Sequence, residues 1–499
     1  MNYLRVPQEI SLTDIRAKSD SFSPGMYRQV IIPTNVFKRV KDLLDPNHPF
    51  DKGSEPGSLW YLKRSTHYFI RTKAFQDYSY LLCPKGDSII PINPKAFSDP
   101  IIRDGDILMV KDSNVGECAI VDEDHQRNHM FSGGIVRLHP ACDRYYFFSF
   151  LKHPLFKTQL TAMTARGATI THAKTLWLDC IVPFPNQKNA DRVIRYVSAI
   201  MEAIVDKEKA IRKRDSQITF IINDELEVGQ KHVSPFSYSY PTLEEIRKQG
   251  RLDAAIYDHE YKHKIYSILN YKHGTETPTE MGFTVIPGPS LEIKILGTRI
   301  DSYVPKPNFY TLILPTNISE YGTMNVVQYL GTGSKLPLLK QGDIVFGEAG
   351  FHKGRSIVLL DSYDSCTTNA HGLYARRTDT DLTKSIFFRC IFNWYRSMRL
   401  VDIVAVGGSG GHLSPSYFDD FIHIPKFPDT KKLSIARLYH NTSLPPKDTP
   451  TLDTFVDWHR RWNMALGIWE LDREMKALQR TLAKVHEKII EGQTVEVPI

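Results

Sequence analysis

The sequence predicts a mixed α/β (α+β) protein built as a two-fold internal repeat, with two globular domains separated by two long antiparallel coiled-coil helices. Three observations predict it. Gly105-Asp106-Ile107-Leu108 and Gly342-Asp343-Ile344-Val345 open segments that run on to Pro183-Phe184-Pro185 and Pro425-Lys426-Phe427-Pro428. The two openings lie 237 positions apart, from 105 to 342. Each segment is trailed by a stretch of helical periodicity and preceded by a related hexapeptide, Ser11-Leu12-Thr13-Asp14-Ile15-Arg16 or Thr242-Leu243-Glu244-Glu245-Ile246-Arg247. The boundaries that follow are 1–187 and 242–428 for the domains, 188–226 and 453–492 for the helices, and 227–241 and 429–452 for linkers, the second an insertion.

In the first domain, Ser88–Ile92, Asp106–Val110 and Cys118–Val121 are β-rich runs bounded by Gly, Asn, Asp and Pro. Residues 145–160 place Phe147, Phe148, Leu151, Leu155 and Leu160 on one helical face. A small-residue loop at Ala165–Thr169 leads to a strand expected over Leu176–Val182 and ended by Pro183. In 188–226, Val193, Val197, Ile200, Ile204, Ile211 and Ile218 recur at three–four spacing, with Lys207 and Arg214 filling the missing seam positions. In 453–492 the stripe is Phe455, Trp458, Trp462, Ala465 and Trp469, then, after a slip, Leu471, Met475, Leu478, Leu482, Val485 and Ile489. A helix of about 40 residues is roughly 60 Å long. Two of them laid antiparallel hold the domains apart by one or two turns of a duplex, at about 34–36 Å per turn.

Composition bounds the class. The 499 residues are enough for two to four domains, and 41% hydrophobic with 24% charged residues is ordinary for a soluble protein. No apolar run of about 18 residues exists, and the N-terminus lacks a signal-peptide layout, so an intracellular, cytoplasmic protein without a membrane partner is expected. Six scattered cysteines (83, 118, 142, 180, 366 and 390) fit a reducing compartment. The net charge of +7 is compatible with a polyanionic partner. Aromatic and basic residues alternate at Tyr61-Leu62-Lys63-Arg64, His67-Tyr68-Phe69-Ile70-Arg71 and Arg144-Tyr145-Tyr146, a pattern shared by nucleic-acid surfaces and by strands with one solvated face.

The glycine-rich segments do not form nucleotide-site motifs. Gly331-Thr332-Gly333-Ser334-Lys335 lacks P-loop spacing, and Gly407-Gly408-Ser409-Gly410-Gly411-His412 lacks the context of a dinucleotide site. The sequence contains no Asn-Pro-Pro-aromatic tetrapeptide. A binding protein is therefore favoured over an enzyme, with no cofactor or metal expected in this chain.

The two units, with their Gly-Asp-Ile strands, the Gly turns at Gly116 and Gly354, the loops Gly167–Pro185 and Gly410–Pro428, and Gly250-Arg251-Leu252-Asp253-Ala254 with Tyr257 and Tyr261, resemble the specificity (S) subunit of type I restriction–modification systems over nearly the full chain. The chain departs from that pattern where Asn186-Gln187-Lys188 and Asp429-Thr430-Lys431 replace the Glu-Gln pair that often opens the spacer helix. The resemblance implies a non-catalytic subunit with two target-recognition domains, each reading half of a bipartite, asymmetric site on double-stranded DNA. It also implies two docked adenine methyltransferase subunits that use S-adenosylmethionine, and a motor–nuclease subunit using ATP and Mg as a further partner, in the setting of DNA methylation and phage defence.

Contact residues are expected on loops, where Arg, Asn and Gln can read base edges while Lys and hydroxyls hold phosphates. In the first domain these are Lys111, Ser113 and Asn114 after the Gly-Asp-Ile strand, then Arg166, Thr169, His172 and Lys174. In the second they are His352, Lys353 and Arg355, then Ser409, His412 and Ser414. Lys111-Asp112-Ser113-Asn114 is set against Gly347-Glu348-Ala349-Gly350, so equal frames carry unequal loops. Three other readings stay open: a specificity subunit of a related type II or other defence system, an enzyme acting on nucleic acid, and a protein-binding scaffold.

Overall fold

The computed structural model describes residues 3–499 apart from 18–19, 21, 23–26, 85, 99–101, 164–172, 232–234, 351–352, 380 and 407–410. The chain forms two compact units. One comprises Met1–Ala210, Leu444–Met464 and Arg473–Ile499, the other Ile211–Ser443 and Ala465–Asp472. No helix among the described residues is long and apolar enough to cross a membrane.

In the first unit a four-stranded antiparallel sheet has the order Phe50–Lys52, Ile135–Leu138, Ile107–Val110, Cys118–Ile120. All four side chains of Ile107–Val110 are buried. Successive residues of a strand face opposite sides. Ile107 and Met109 accordingly pack with Phe147, Phe148, Leu151, Val197 and Leu482, while Leu108 and Val110 pack with Ile70, Phe75 and Phe131. A second sheet orders Ile89–Ile92, His67–Ile70 and His129–Phe131, the last two parallel. The strand Ile181–Pro183 closes the unit against Phe37–Arg39.

The second unit repeats this plan. Its four-stranded sheet runs Phe283–Pro287, Gly372–Arg377, Ile344–Gly347, Ser356–Val358, and another runs Ile300–Ser302, Gln328–Gly331, Tyr310–Leu312, Cys366–Thr367 with the last pair parallel. Ile424–Pro425 pairs with Thr275–Glu276, as the earlier proline terminus pairs with Phe37–Arg39. An aspartate caps the helix after each central sheet: Asp143 accepts the Tyr146 N–H at 2.9 Å, and Asp381 accepts that of Thr383 at 3.0 Å. The paired hexapeptides are short helices with hydroxyl caps, Ser11 holding the Asp14 N–H and Thr242 that of Glu245, each at 3.1 Å. Phe346, Phe388, Phe392 and Phe418 form an aromatic core beneath the second Gly-Asp-Ile strand.

The glycine and aspartate of each triplet have structural jobs. Gly105 and Gly342 adopt φ of 87° and 88°, a conformation costly for any residue with a Cβ. Asp106 accepts the Arg103 N–H at 2.9 Å and pairs with Arg137 at 3.3 Å. Asp343, 2% exposed, accepts the Lys340 N–H at 2.8 Å and pairs with Arg376 at 2.5 Å.

The first long helix spans Ala190–Val228, two residues later at each end than predicted. Other elements differ from expectation. The helix read over 145–160 is two, Arg144–Lys152 and Pro154–Met163, because Pro154 cannot continue the first. Residues 176–179 form a 3₁₀ turn anchored by buried Trp177, and the strand is only Ile181–Pro183. The expected linker 429–452 holds the helix Asp429–Tyr439, whose Tyr439 hydroxyl donates to the Gly322 carbonyl at 2.6 Å.

The single helix expected over 453–492 is also two, Phe455–Asn463 and Ile468–Ile490. At Gly467 a Cβ would lie 2.6 Å from the Asn441 backbone nitrogen, and Asn441 donates its side-chain amide to the Ala465 carbonyl at 2.5 Å. A loop distant in sequence therefore occupies the place of the missing turn. On Phe455–Asn463 the buried side chains are Phe455, His459 and Asn463 rather than the tryptophans. Lys207 is fully buried, donating to Asn463 Oδ1 at 2.7 Å with its ammonium 5.4 Å from the Trp462 ring centre. Five of the six cysteines are buried, and Cys142 is half-buried.

Candidate nucleic-acid interface

Each Gly-Asp-Ile strand delivers the chain to a loop braced by two other segments. In the first unit Lys111 donates its N–H to the Gly134 carbonyl at 2.8 Å, and its own carbonyl accepts from Ala173 at 2.9 Å. In the second unit Glu348 donates to His371 at 2.9 Å and accepts from Leu413 at 3.0 Å. The return turn matches too: the Gly116 N–H meets the Val110 carbonyl and the Gly354 N–H the Gly347 carbonyl, both at 2.9 Å. The described ends of the two loops predicted for each site, Lys111 with Ala173 and Glu348 with Leu413, thus lie side by side. The pairing also corrects the register by one residue, because Lys111 corresponds to Glu348 and not to Gly347, and Lys174 to Ser414.

Side-chain chemistry differs at these matched places. Lys111 is about one-fifth exposed, and its ammonium pairs with Asp112 at 2.7 Å. Ser113 (φ 70°) and Asn114 are exposed, Ser113 donating its hydroxyl to Thr72 Oγ1 at 3.3 Å. Lys174 is exposed at φ 47° while its carbonyl accepts the Trp177 indole N–H at 3.0 Å, so the buried ring holds the loop from beneath. His412 is half-exposed with Nδ1 3.4 Å from Glu348 Oε1, and Ser414 shares a 3.0 Å hydrogen bond with Ser416. A Cβ on Gly411 would lie 3.2 Å from Ala405, a tight contact, and its φ of 67° would strain any side-chain-bearing residue.

Two predicted contacts are corrected. Arg355 is 6% exposed and donates to the Ile318 carbonyl at 2.9 Å. The Lys353 side chain is 8% exposed, with its ammonium 3.3 Å from Asp402. Both support the loop from within, since they lead into the strand Ser356–Val358, which is buried on both faces. Arg166, Thr169, His172, His352 and Ser409 lie outside the described residues.

The site set drawn from sequence passed over a second feature, the outer edge of the sheet that contains the parallel pair. In the first unit Tyr61 bridges to Ile92 there, and the adjoining segment exposes Leu59, Trp60, Leu62, Lys63 and Arg64. In the second unit Ile300–Ser302 takes this edge and exposes Ile300, Tyr303 and Val304 beside Lys306. The first edge was marked in sequence by its aromatic–basic alternation, whereas the second carries no such pattern. Nearby, Asp87 sits between Arg71 and Lys73 at 2.5 and 3.1 Å, and the hydrogen bond from Lys73 chiefly holds its carboxyl below the usual range. The conserved chemistry of both loops is donors and acceptors on a braced backbone, suited to binding phosphates and base edges.

No family model and no curated protein matches the sequence. Among solved structures, the S subunit of a type I restriction–modification system from M. genitalium covers 94% of this chain and 99% of its own, at 12% identity and a TM-score of 0.38. The chain is similar to type I S subunits. The HsdS subunit from Thermoanaerobacter tengcongensis gives 12% identity, 92% and 97% coverage and a TM-score of 0.27. A structure describing complex assembly and conformational transition of the type I system gives 12%, 93%, 100% and 0.29.

Proposed function

We propose that this chain is the non-catalytic DNA-specificity subunit of a type I restriction–modification complex. Its two units each read half of a bipartite, asymmetric site, and it docks two adenine methyltransferase subunits, with a motor–nuclease subunit as a further partner. S-adenosylmethionine, and ATP with Mg, belong to those partners. The observation that carries this reading is the repeat itself: one backbone frame built twice, with Lys111 and Glu348, and Lys174 and Ser414, at matched loop positions. Recognition needs a constant frame that sets register and variable side chains that meet base edges. Equal frames with unequal side chains suit two different half-sites. A palindrome needs no such divergence.

Lys174, Ser113 and Asn114 in the first unit and His412 and Ser414 in the second are the contacts favoured by exposure, with Lys63 and Arg64 as added phosphate ligands. Modification of adenine requires an extruded base, so the methyltransferase pocket takes the base while this chain holds the flanking duplex. The test is a domain exchange. Replacing residues 242–428 by the matching segment of a related subunit, in a host carrying the partner subunits, should change one half of the methylated sequence. An unchanged methylome would favour a protein scaffold, and methyl transfer by the isolated chain would favour an enzyme.

A further inference from the structure

We propose that His48, Asp51 and His139 form a binding site for a first-row divalent cation of the zinc class. The three offer ligand atoms that all lie within 4.8 Å of one another, the one such group of three among the described residues. Both imidazoles turn Nε2 toward one carboxylate: His48 is 2.5 Å from Asp51 Oδ1 and His139 is 2.9 Å from Oδ2. The ring centres are 4.7 Å apart with planes at 60°, so the rings converge without stacking. Two histidines and one carboxylate are a ligand set suited to zinc, which binds such atoms at about 2.0–2.2 Å in a tetrahedron.

The backbone holds these ligands in place before any ion arrives. Asp51 lies on the sheet strand Phe50–Lys52, paired with Arg137 of Ile135–Leu138. His139 continues that neighbouring strand, donating its N–H to the Pro49 carbonyl at 3.0 Å and accepting from Asp45 at 2.8 Å. The Asp45 carboxylate accepts the N–H groups of Asn47 and His48 at 2.8 and 3.1 Å, fixing the turn that presents His48. The His48 side chain is 63% exposed, so water reaches the fourth position of a tetrahedron.

Charge favours a cation. Asp45, Asp51 and Asp106 surround this end of the sheet, and Arg137 is the cation that faces Asp51 and Asp106. Three carboxylates thus stand against the one guanidinium that pairs with two of them. The site belongs to the first repeat alone, because Arg376 stands in the second at the register position of His139. It also lies at the end of Ile107–Val110 opposite Lys111, so it is independent of the proposed DNA contacts.

The purified full chain, stripped with EDTA and desalted, would be titrated with Zn(II) by calorimetry and with Co(II) by visible absorption at pH 7.5. The expected result is one site of micromolar affinity or tighter, weakened at least about tenfold in His48→Ala and in His139→Ala. Melting curves in EDTA would report folding of the variants. Should His139→Ala unfold, exposed His48→Ala decides alone. Absence of micromolar binding, or binding equal in wild type and His48→Ala, would overturn the proposal and leave a hydrogen-bonded His–Asp–His network.

Discussion

Lys111 and Glu348 hold the same backbone position in the two units. Each receives the chain from a buried Gly-Asp-Ile strand, donates to a neighbouring strand's loop and accepts from the segment that leads to the proline terminus. One carries a cation and the other an anion. Structure is conserved here in the main chain, and difference is confined to what the main chain presents.

Exposed Lys174 tests the proposed interface. In the assembled complex with its methyltransferase subunits, Lys174→Ala should weaken duplex binding by about three- to tenfold on all sequences and flatten the salt dependence by about one charge. Fluorescence anisotropy across a salt series measures both. Unchanged affinity and slope would place the interface elsewhere on this unit.

Asp343 tests the structural meaning of the triplet. Its carboxylate is buried against Arg376 and the Lys340 N–H. Removing one partner of a buried pair costs about 3–5 kcal/mol, so Asp343→Ala should shift urea unfolding by that order. Asp106→Ala, at a position whose side chain is 26% exposed, should cost less.

Burial of Lys207 lowers its ammonium pKa from 10.5 to about 8. Between about pH 8 and 10 the unfolded chain therefore holds the extra proton, and stability rises with pH across that window by about 3 kcal/mol at most. Below pH 8 the full cost of burying the charge is present. Lys207→Met should raise stability at pH 7 by about 1 kcal/mol or more. It should also remove the alkaline rise seen in wild-type denaturant curves.

Three histidines of the first unit predict acid lability. Burial lowers His459 to about 3, His153 to about 4 and His486 well below its ordinary 6.5. The unfolded chain protonates first as pH falls below 6.5, so stability is whole above that value. It is lost toward pH 4, by up to about 1.4 kcal/mol per histidine per pH unit. His486→Gln should lower the slope of stability between pH 6.5 and 5 by about one proton's worth. An unaltered slope in calorimetric or urea series would contradict the burial of that imidazole.

The break at Gly467 is testable in the same way. Gly467→Ala would press a methyl group onto the Asn441 and His440 backbone and should cost about 1–3 kcal/mol in thermal or urea unfolding.

The sequence by itself determined the repeat, the central strands and the first long helix, because these rest on local signals: a glycine that must take positive φ, an aspartate that caps, and apolar residues at helical or strand spacing. Tertiary structure decided what depends on partners distant in the chain. Asn441 interrupts the last helix, buried Lys207 selects His459 and Asn463 over the tryptophans as the inward face, and Ile318 draws Arg355 into the interior. The meeting of His48, Asp51 and His139 was likewise hidden, since 48 and 139 become neighbours only when two strands pair. Local propensity reads along the chain, whereas burial and ligand geometry are set by which segments pack together.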